Sequence, residues 1–134
     1  MVTKVFVYGT LKKWNKLNYI ISRGKYLGKH ITPPKYNMVD YGNGMFPIVY
    51  PKNKGHKICG DLYEVDKDTY EYVYLMERGA GYAEKEVQLT PLNKQNKTCI
   101  NAVMFIYSNK PDQGWISDVF IDVQDNVKTW KGFK

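Results

Sequence analysis

Arginine is almost missing from this chain: Arg23 and Arg78 are the only two among 20 basic residues. The formal net charge of +7 therefore rests on scattered lysines. The bidentate fork that reads bases and grips phosphates is in short supply. Specific nucleic-acid binding is not expected, and the charge reads as a solvated surface with weak attraction for anions at low salt. Cysteine is scarce too. Cys59 and Cys99 lie in separate apolar runs, with no CxxC and no clustered His/Cys spacing. A zinc site is not expected, and the two read as buried, reduced thiols. His30 and His56 stand apart with no Ser or Cys partner suggesting a triad, and read as exposed. Neither a Walker loop nor a dinucleotide fingerprint occurs. No apolar stretch is long enough to span a bilayer, and no signal peptide precedes the first strand. A cytoplasmic location without a membrane partner is the expectation.

What is there is a chain of 134 residues with 12 tyrosines. That length suits one domain, expected over residues 1–134, able to bury roughly 70% of its extended surface. Tyrosine suits β surfaces and the walls of polar cavities, because it joins an apolar ring to a hydroxyl. Lys4-Val5-Phe6-Val7-Tyr8 reads as a buried strand ended by Gly9. Leu17, Ile20 and Ile21 recur at helical spacing, predicting a helix from Leu11 to Ser22, with Asn15 as a cap and Gly24 as its stop. Strands follow at Tyr26 to Ile31, Tyr36 to Tyr41 and Phe46 to Tyr50, the last placed at an edge by Pro47. Gly42-Asn43-Gly44 reads as a loop. Ile58 to Val65 is a strand, Asp66 a helix N-cap, and Gly79-Ala80-Gly81 the stop of a short helix. Tyr82 to Thr90 and Thr98 to Tyr107 are strands joined by a turn at Asn93 to Asn96. From Trp115 onward the pattern fits either helix or strand. Many short strands with few helices indicate an α+β domain, a small mixed β-barrel flanked by two or three short helices.

Chemistry can sit at two glycine-bearing breaks. Tyr8-Gly9-Thr10-Leu11 follows a strand, where consecutive backbone N–H groups can cradle an anion or oxyanion. Gly79-Ala80-Gly81 follows the helix carrying Glu77. A carboxylate at the end of an apolar helix, beside Met76, can be desolvated and raised in pKa, the condition for acid–base work near neutrality. A surface glutamate, or a partner for Arg78, remains the alternative for Glu77. Glu84 and Glu86 read as the solvent side of a strand. Trp115 and Trp130 could stack on a partner, although burial is commoner for tryptophan.

Three co-linear segments resemble the γ-glutamylcyclotransferase-like family, in its γ-glutamylamine cyclotransferase type. They are Val5-Phe6-Val7-Tyr8-Gly9-Thr10-Leu11-Lys12-Lys13, then Gly60-Asp61-Leu62-Tyr63-Glu64-Val65-Asp66, then Glu77 with Tyr82 five residues on. The resemblance implies a small mixed barrel with a cavity at one side. It places the anion cradle on Tyr8, Gly9, Thr10 and Leu11, the catalytic glutamate on Glu77, and Tyr82 beside the substrate. It implies release of 5-oxoproline from a γ-glutamyl-amine or γ-glutamyl-amino-acid by intramolecular cyclisation, with no metal or organic cofactor. The implied partner is a small γ-glutamyl molecule, and the expected state a monomer or weak homodimer. A second hypothesis is a catalytically inactive relative acting as a basic binding module. Trp14, Tyr74 and Glu84 depart from the family's usual glycine, aspartate and arginine.

Overall fold

Strands dominate the computed structural model, which describes residues 2–13, 15–92, 98–111 and 116–132. In chain order these are β1 (Val2–Val7), β2 (Lys25–Ile31), β3 (Tyr36–Tyr41), β4 (Phe46–Pro51), β5 (Lys57–Asp66), helix α1 (Lys67–Gly79), β6 (Ala83–Pro91), β7 (Ile100–Ile106), β8 (Ile116–Ser117), β9 (Ile121–Gln124) and β10 (Val127–Trp130). Five of them run β1-β7-β6-β2-β5, and β1 closes the ring by pairing again with β5. The β1–β7 pair is parallel and the other barrel pairs are antiparallel, so the barrel is mixed. β10 joins the start of β5 in parallel, and a small sheet β4-β3-β8 leans on the barrel. As its proline suggested, β4 is an edge strand.

Two apolar layers share the strands. Phe6, Tyr8, Ile58, Leu62, Leu89 and Met104 belong to one core cluster. The alternate residues Val5, Val7, Tyr63, Val65 and Phe105 pack against Val73 of α1 in another. Both faces of β1 and β5 are therefore covered, which is why their sequences read as nearly continuous apolar runs. Burial of a single such side chain contributes about 1.5–3 kcal/mol.

The helix expected from Leu11 to Ser22 is not formed. The segment is a series of turns containing only a 3-10 turn, Asn18–Ile20. Its bonds are mostly short-range ones, Lys12 N–H to Gly9, Asn15 to Lys12 and Ile20 to Leu17. Long-range anchors also pull it from helical geometry. The Lys12 ammonium donates to the Trp130 carbonyl (2.8 Å), and the Lys13 N–H donates to the Asp61 carboxylate (2.8 Å). Three apolar residues cannot outweigh these anchors and the cost of helix nucleation. Among the described residues α1 is the one α-helix, fewer than the two or three helices expected.

Asp61 is buried and ties the loop after β1 to β5. It accepts from Lys13 N–H and from the Tyr26 hydroxyl (3.1 Å), and lies 3.5 Å from the Lys29 ammonium. Burial, and then the Asp61 carboxylate, push the Tyr26 phenol up to about 12. Burial lowers the pKa of the Lys12 ammonium, while the Asp61 charge opposes that shift. Asp61→Ala removes the side-chain acceptor shared by the Lys13 N–H and the Tyr26 hydroxyl. The expected loss is about 1–3 kcal/mol, read as a lower urea midpoint at unchanged slope. An unmoved midpoint would show the anchor to be idle.

Three other expectations need correction. Cys59 is buried but Cys99 is exposed, and both are free. Cys99 precedes β7 and is not part of its buried side. His30 is buried, not exposed. It lies opposite Gly60 on β5, and its Nδ1–H donates to the Gly28 carbonyl (3.0 Å). His56 is half-buried. Trp130 is buried, its indole N–H donating to Asp40 (2.6 Å). The segment after Trp115 resolves as strands β8 to β10. Trp14, Trp115 and the residues of the turn expected at Asn93 to Asn96 lie outside the described residues.

Candidate active site

Helix α1 aims Glu77 by simple periodicity. Asp66 caps its start, the carboxylate accepting from Thr69 N–H (2.8 Å). Val73 is the residue α1 buries against the barrel. Glu77, four residues later, falls on the same face one turn on, with Met76 beside it. The helix then ends in a Schellman arrangement. Gly81 adopts φ +95, its N–H donates to the Arg78 carbonyl (3.1 Å), and the Tyr82 N–H donates to the Glu77 carbonyl (3.0 Å). The five-residue spacing from Glu77 to Tyr82 is the length of this cap. One motif thus delivers a helix-borne carboxyl and a strand-borne phenol to the same place.

The second component comes from the end of β1. Tyr8, Gly9, Thr10 and Leu11 turn away from β5, with the Gly9 carbonyl accepting from Lys12 N–H and the Thr10 carbonyl from Leu17 N–H. The Asn18 side chain holds the Leu11 carbonyl (2.9 Å). The Gly9, Thr10 and Leu11 carbonyls are thus occupied. Its Gly9, Thr10 and Leu11 N–H groups donate to no described residue.

All six residues expected at the site line one cavity of about 350 Å³. They are Tyr8, Gly9, Thr10, Leu11, Glu77 and Tyr82, and the volume falls in the range of small-molecule sites. Burial pushes the Glu77 carboxyl up to about 7, with no opposing cation among the described residues. The alternative role as partner of Arg78 is not realised, since that guanidinium lies 5.7 Å from the centre of the Tyr74 ring. Burial raises the Tyr8 and Tyr82 phenols well above their usual value, and the nearby Glu77 charge adds to both shifts. The two hydroxyls stay protonated and donate to main-chain carbonyls, Tyr8 to Phe105 and Tyr82 to Pro47 (2.8 Å).

Sequence reasoning missed the opposite wall. Met45, Phe46 and Pro47 enter the cavity from the β3–β4 hairpin, and Lys16 stands beside the cradle. Pro47 had a legible signal only as a strand edge. Its contact with the turn spans 38 positions and has no local trace. Of the departures, Tyr74 packs edge-on against Phe105, and Glu84 is exposed on β6, outside the cavity lining. Among the described residues, no group of three or more His, Cys, Asp or Glu gathers to hold a metal, and no helix is long and apolar enough to cross a membrane.

Comparison with known proteins bears on the family and the fold. A family model described as gamma-glutamyl cyclotransferase, AIG2-like, matches residues 5–125. A Drosophila melanogaster protein provisionally named gamma-glutamylcyclotransferase is 28% identical over 127 residues, covering 90% of this chain and 80% of the relative. A Methanocaldococcus jannaschii protein with the same provisional name is 37% identical over 84 residues, covering 61% of this chain and 67% of the relative. The solved structure of an uncharacterized Pyrococcus horikoshii protein matches at TM-score 0.62 and 30% identity, covering 86% of this chain and 85% of that one. A mouse AIG2-like protein shares the fold at TM-score 0.70 and 23% identity, covering 82% and 80%. The chain belongs to the gamma-glutamyl cyclotransferase, AIG2-like family, and is an enzyme of the gamma-glutamylcyclotransferase type.

Proposed function

We propose that this enzyme releases 5-oxoproline from a γ-glutamyl compound by intramolecular aminolysis, with Glu77 as general base and then general acid. The observation that carries the proposal is the shared cavity. A desolvated carboxyl poised near neutrality lines the same chamber as a turn whose N–H groups have no partner among the described residues.

The chemistry follows from those parts. The substrate's α-ammonium gives a proton to the Glu77 carboxylate, and its nitrogen attacks the γ-carbonyl carbon of the same molecule. Negative charge develops on the carbonyl oxygen. The bond to the departing nitrogen breaks as Glu77 returns that proton to it and the ring nitrogen gives up its second proton to solvent, leaving a free amine and the closed, neutral lactam. The Tyr8-to-Leu11 turn binds the α-carboxylate or the developing oxyanion through preorganised amides. Because the nucleophile is tethered to its target, positioning supplies much of the acceleration. Tyr82 and Tyr8 line the same chamber, in which burial raises the Glu77 pKa.

The test is a panel of γ-glutamyl-amines and γ-glutamyl-amino-acids assayed for free 5-oxoproline. Turnover of at least one is expected, and a uniformly silent panel would sink the proposal. The base must start ionised, and its pKa lies near 7. kcat/KM should therefore rise about tenfold per pH unit below that value and flatten above it. A profile flat from pH 5.5 to 8 would exclude Glu77 as the base.

A further inference from the structure

The cavity has a rim that the cyclisation chemistry does not use. Lys16 is exposed, lines the cavity, and makes no hydrogen bond or ion pair with any described residue. Met45 lines the same cavity and is 54% exposed. Its placement is built. Gly42, Asn43 and Gly44 all take positive φ, the Gly44 N–H donates to the buried Asp40 carboxylate, and Gly44 lies against the Phe120 ring. Asp40 is held in turn by the Trp130 indole. A rigid hairpin tip thus presents a soft apolar side chain to solvent at the mouth of the site. Leu17 and Met76 continue that apolar surface inward.

Charge matching suggests what this rim meets. The γ-glutamyl half of a substrate carries one ammonium and one carboxylate, answered by Glu77 and by the cradle amides. A further cation and an apolar collar are left for the half that departs. A simple alkylamine offers the collar a chain but offers Lys16 nothing. An α-amino acid offers both a carboxylate and a side chain. We propose that Lys16 and Met45 form a leaving-group subsite that selects γ-glutamyl-amino-acids with a free carboxylate and an apolar side chain over γ-glutamyl-alkylamines. The inference rests on the cyclotransferase reading above and narrows its substrate class.

Two probes separate the possibilities: γ-glutamyl-norleucine, and γ-glutamyl-pentylamine, which has the same chain without the carboxylate. The wild-type ratio of kcat/KM, norleucine compound over pentylamine compound, is expected to be about tenfold, as for one charge-assisted contact. Lys16→Gln should bring that ratio close to one, chiefly through KM for the norleucine compound, and Lys16→Glu should invert it. Added salt should erode the wild-type ratio. Met45→Ser should raise KM for both compounds. A wild-type ratio near one, or an equal fall for both compounds in Lys16→Gln, overturns the subsite, the latter by showing that Lys16 grips the glutamyl half. If neither compound yields 5-oxoproline while another member of the panel does, the subsite is overturned and the cyclotransferase reading stands; a silent panel removes both. Turnover without discrimination removes the subsite alone.

Discussion

Glu77→Gln is expected to lower 5-oxoproline formation by about 10²–10⁴-fold while leaving the fold intact or strengthening it. Glutamine keeps the shape of the side chain but can neither accept the substrate's proton nor return it. The stability side follows from the sign of the shift. Burial raises the folded-state pKa from 4.5 to about 7, so the folded chain binds this proton more tightly than the unfolded chain. The stabilisation from a neutral carboxyl is fully present below the unfolded value and is lost as pH rises through about 7. At pH 8 the ionised Glu77 then costs the fold up to about 3 kcal/mol, a penalty the neutral amide avoids. Denaturation midpoints should therefore favour Glu77→Gln at pH 8 and converge with wild type only below about pH 4.5. A variant that is equally active across the substrate panel would remove Glu77 from the mechanism. A stability gap that widens toward acid would contradict its raised pKa. A purely binding role for the cavity predicts neither the lost turnover nor this pattern.

Gly9→Ala should be nearly as damaging to activity, through geometry and not charge. A Cβ at this position would sit 2.7 and 2.8 Å from the Pro47 Cγ and Cδ atoms, closer than side-chain carbons approach. The proline ring cannot rotate aside, and the Pro47 carbonyl is held by the Tyr82 hydroxyl. The turn itself must move, and with it the amides of the cradle. A displacement of about 1 Å at a reacting group costs about 10²-fold in rate, and the overpacking about 1–3 kcal/mol. Gly79→Ala serves as the control, because nothing lies within 4 Å of the methyl it would add. If Gly9→Ala and Gly79→Ala both turn over substrate like wild type, the contact between β1 and β4 does not set the cradle. The second prediction is independent of the first, since it leaves the carboxyl untouched.

Elements held together by near neighbours were legible in the residues. Strand β3 was read with its observed limits, because Tyr36 to Tyr41 is bounded by turn-forming residues on both sides. The α1 cap at Asp66 and the stop at Gly81 were legible for the same reason, since their hydrogen bonds span a few residues. Leu11 to Ser22 failed because its conformation is set by Asp61 and Trp130, which lie 48 and 118 positions from the loop residues they hold. Local periodicity carries no record of such partners. His30 was misplaced likewise, its burial arising from strand pairing with β5.

The residues alone therefore singled out two candidates for chemistry, a carboxyl at a helix end and a glycine turn after a strand, and the family resemblance added Tyr82. Tertiary structure decided that these groups share one chamber, that burial lifts Glu77 to near neutrality, and that Lys16, Met45 and Pro47 complete its walls. The division has a physical cause. Hydrogen-bonded turns and caps are short-range and leave a pattern in neighbouring residues, whereas desolvation depends on every atom that displaces water, wherever in the chain it comes from.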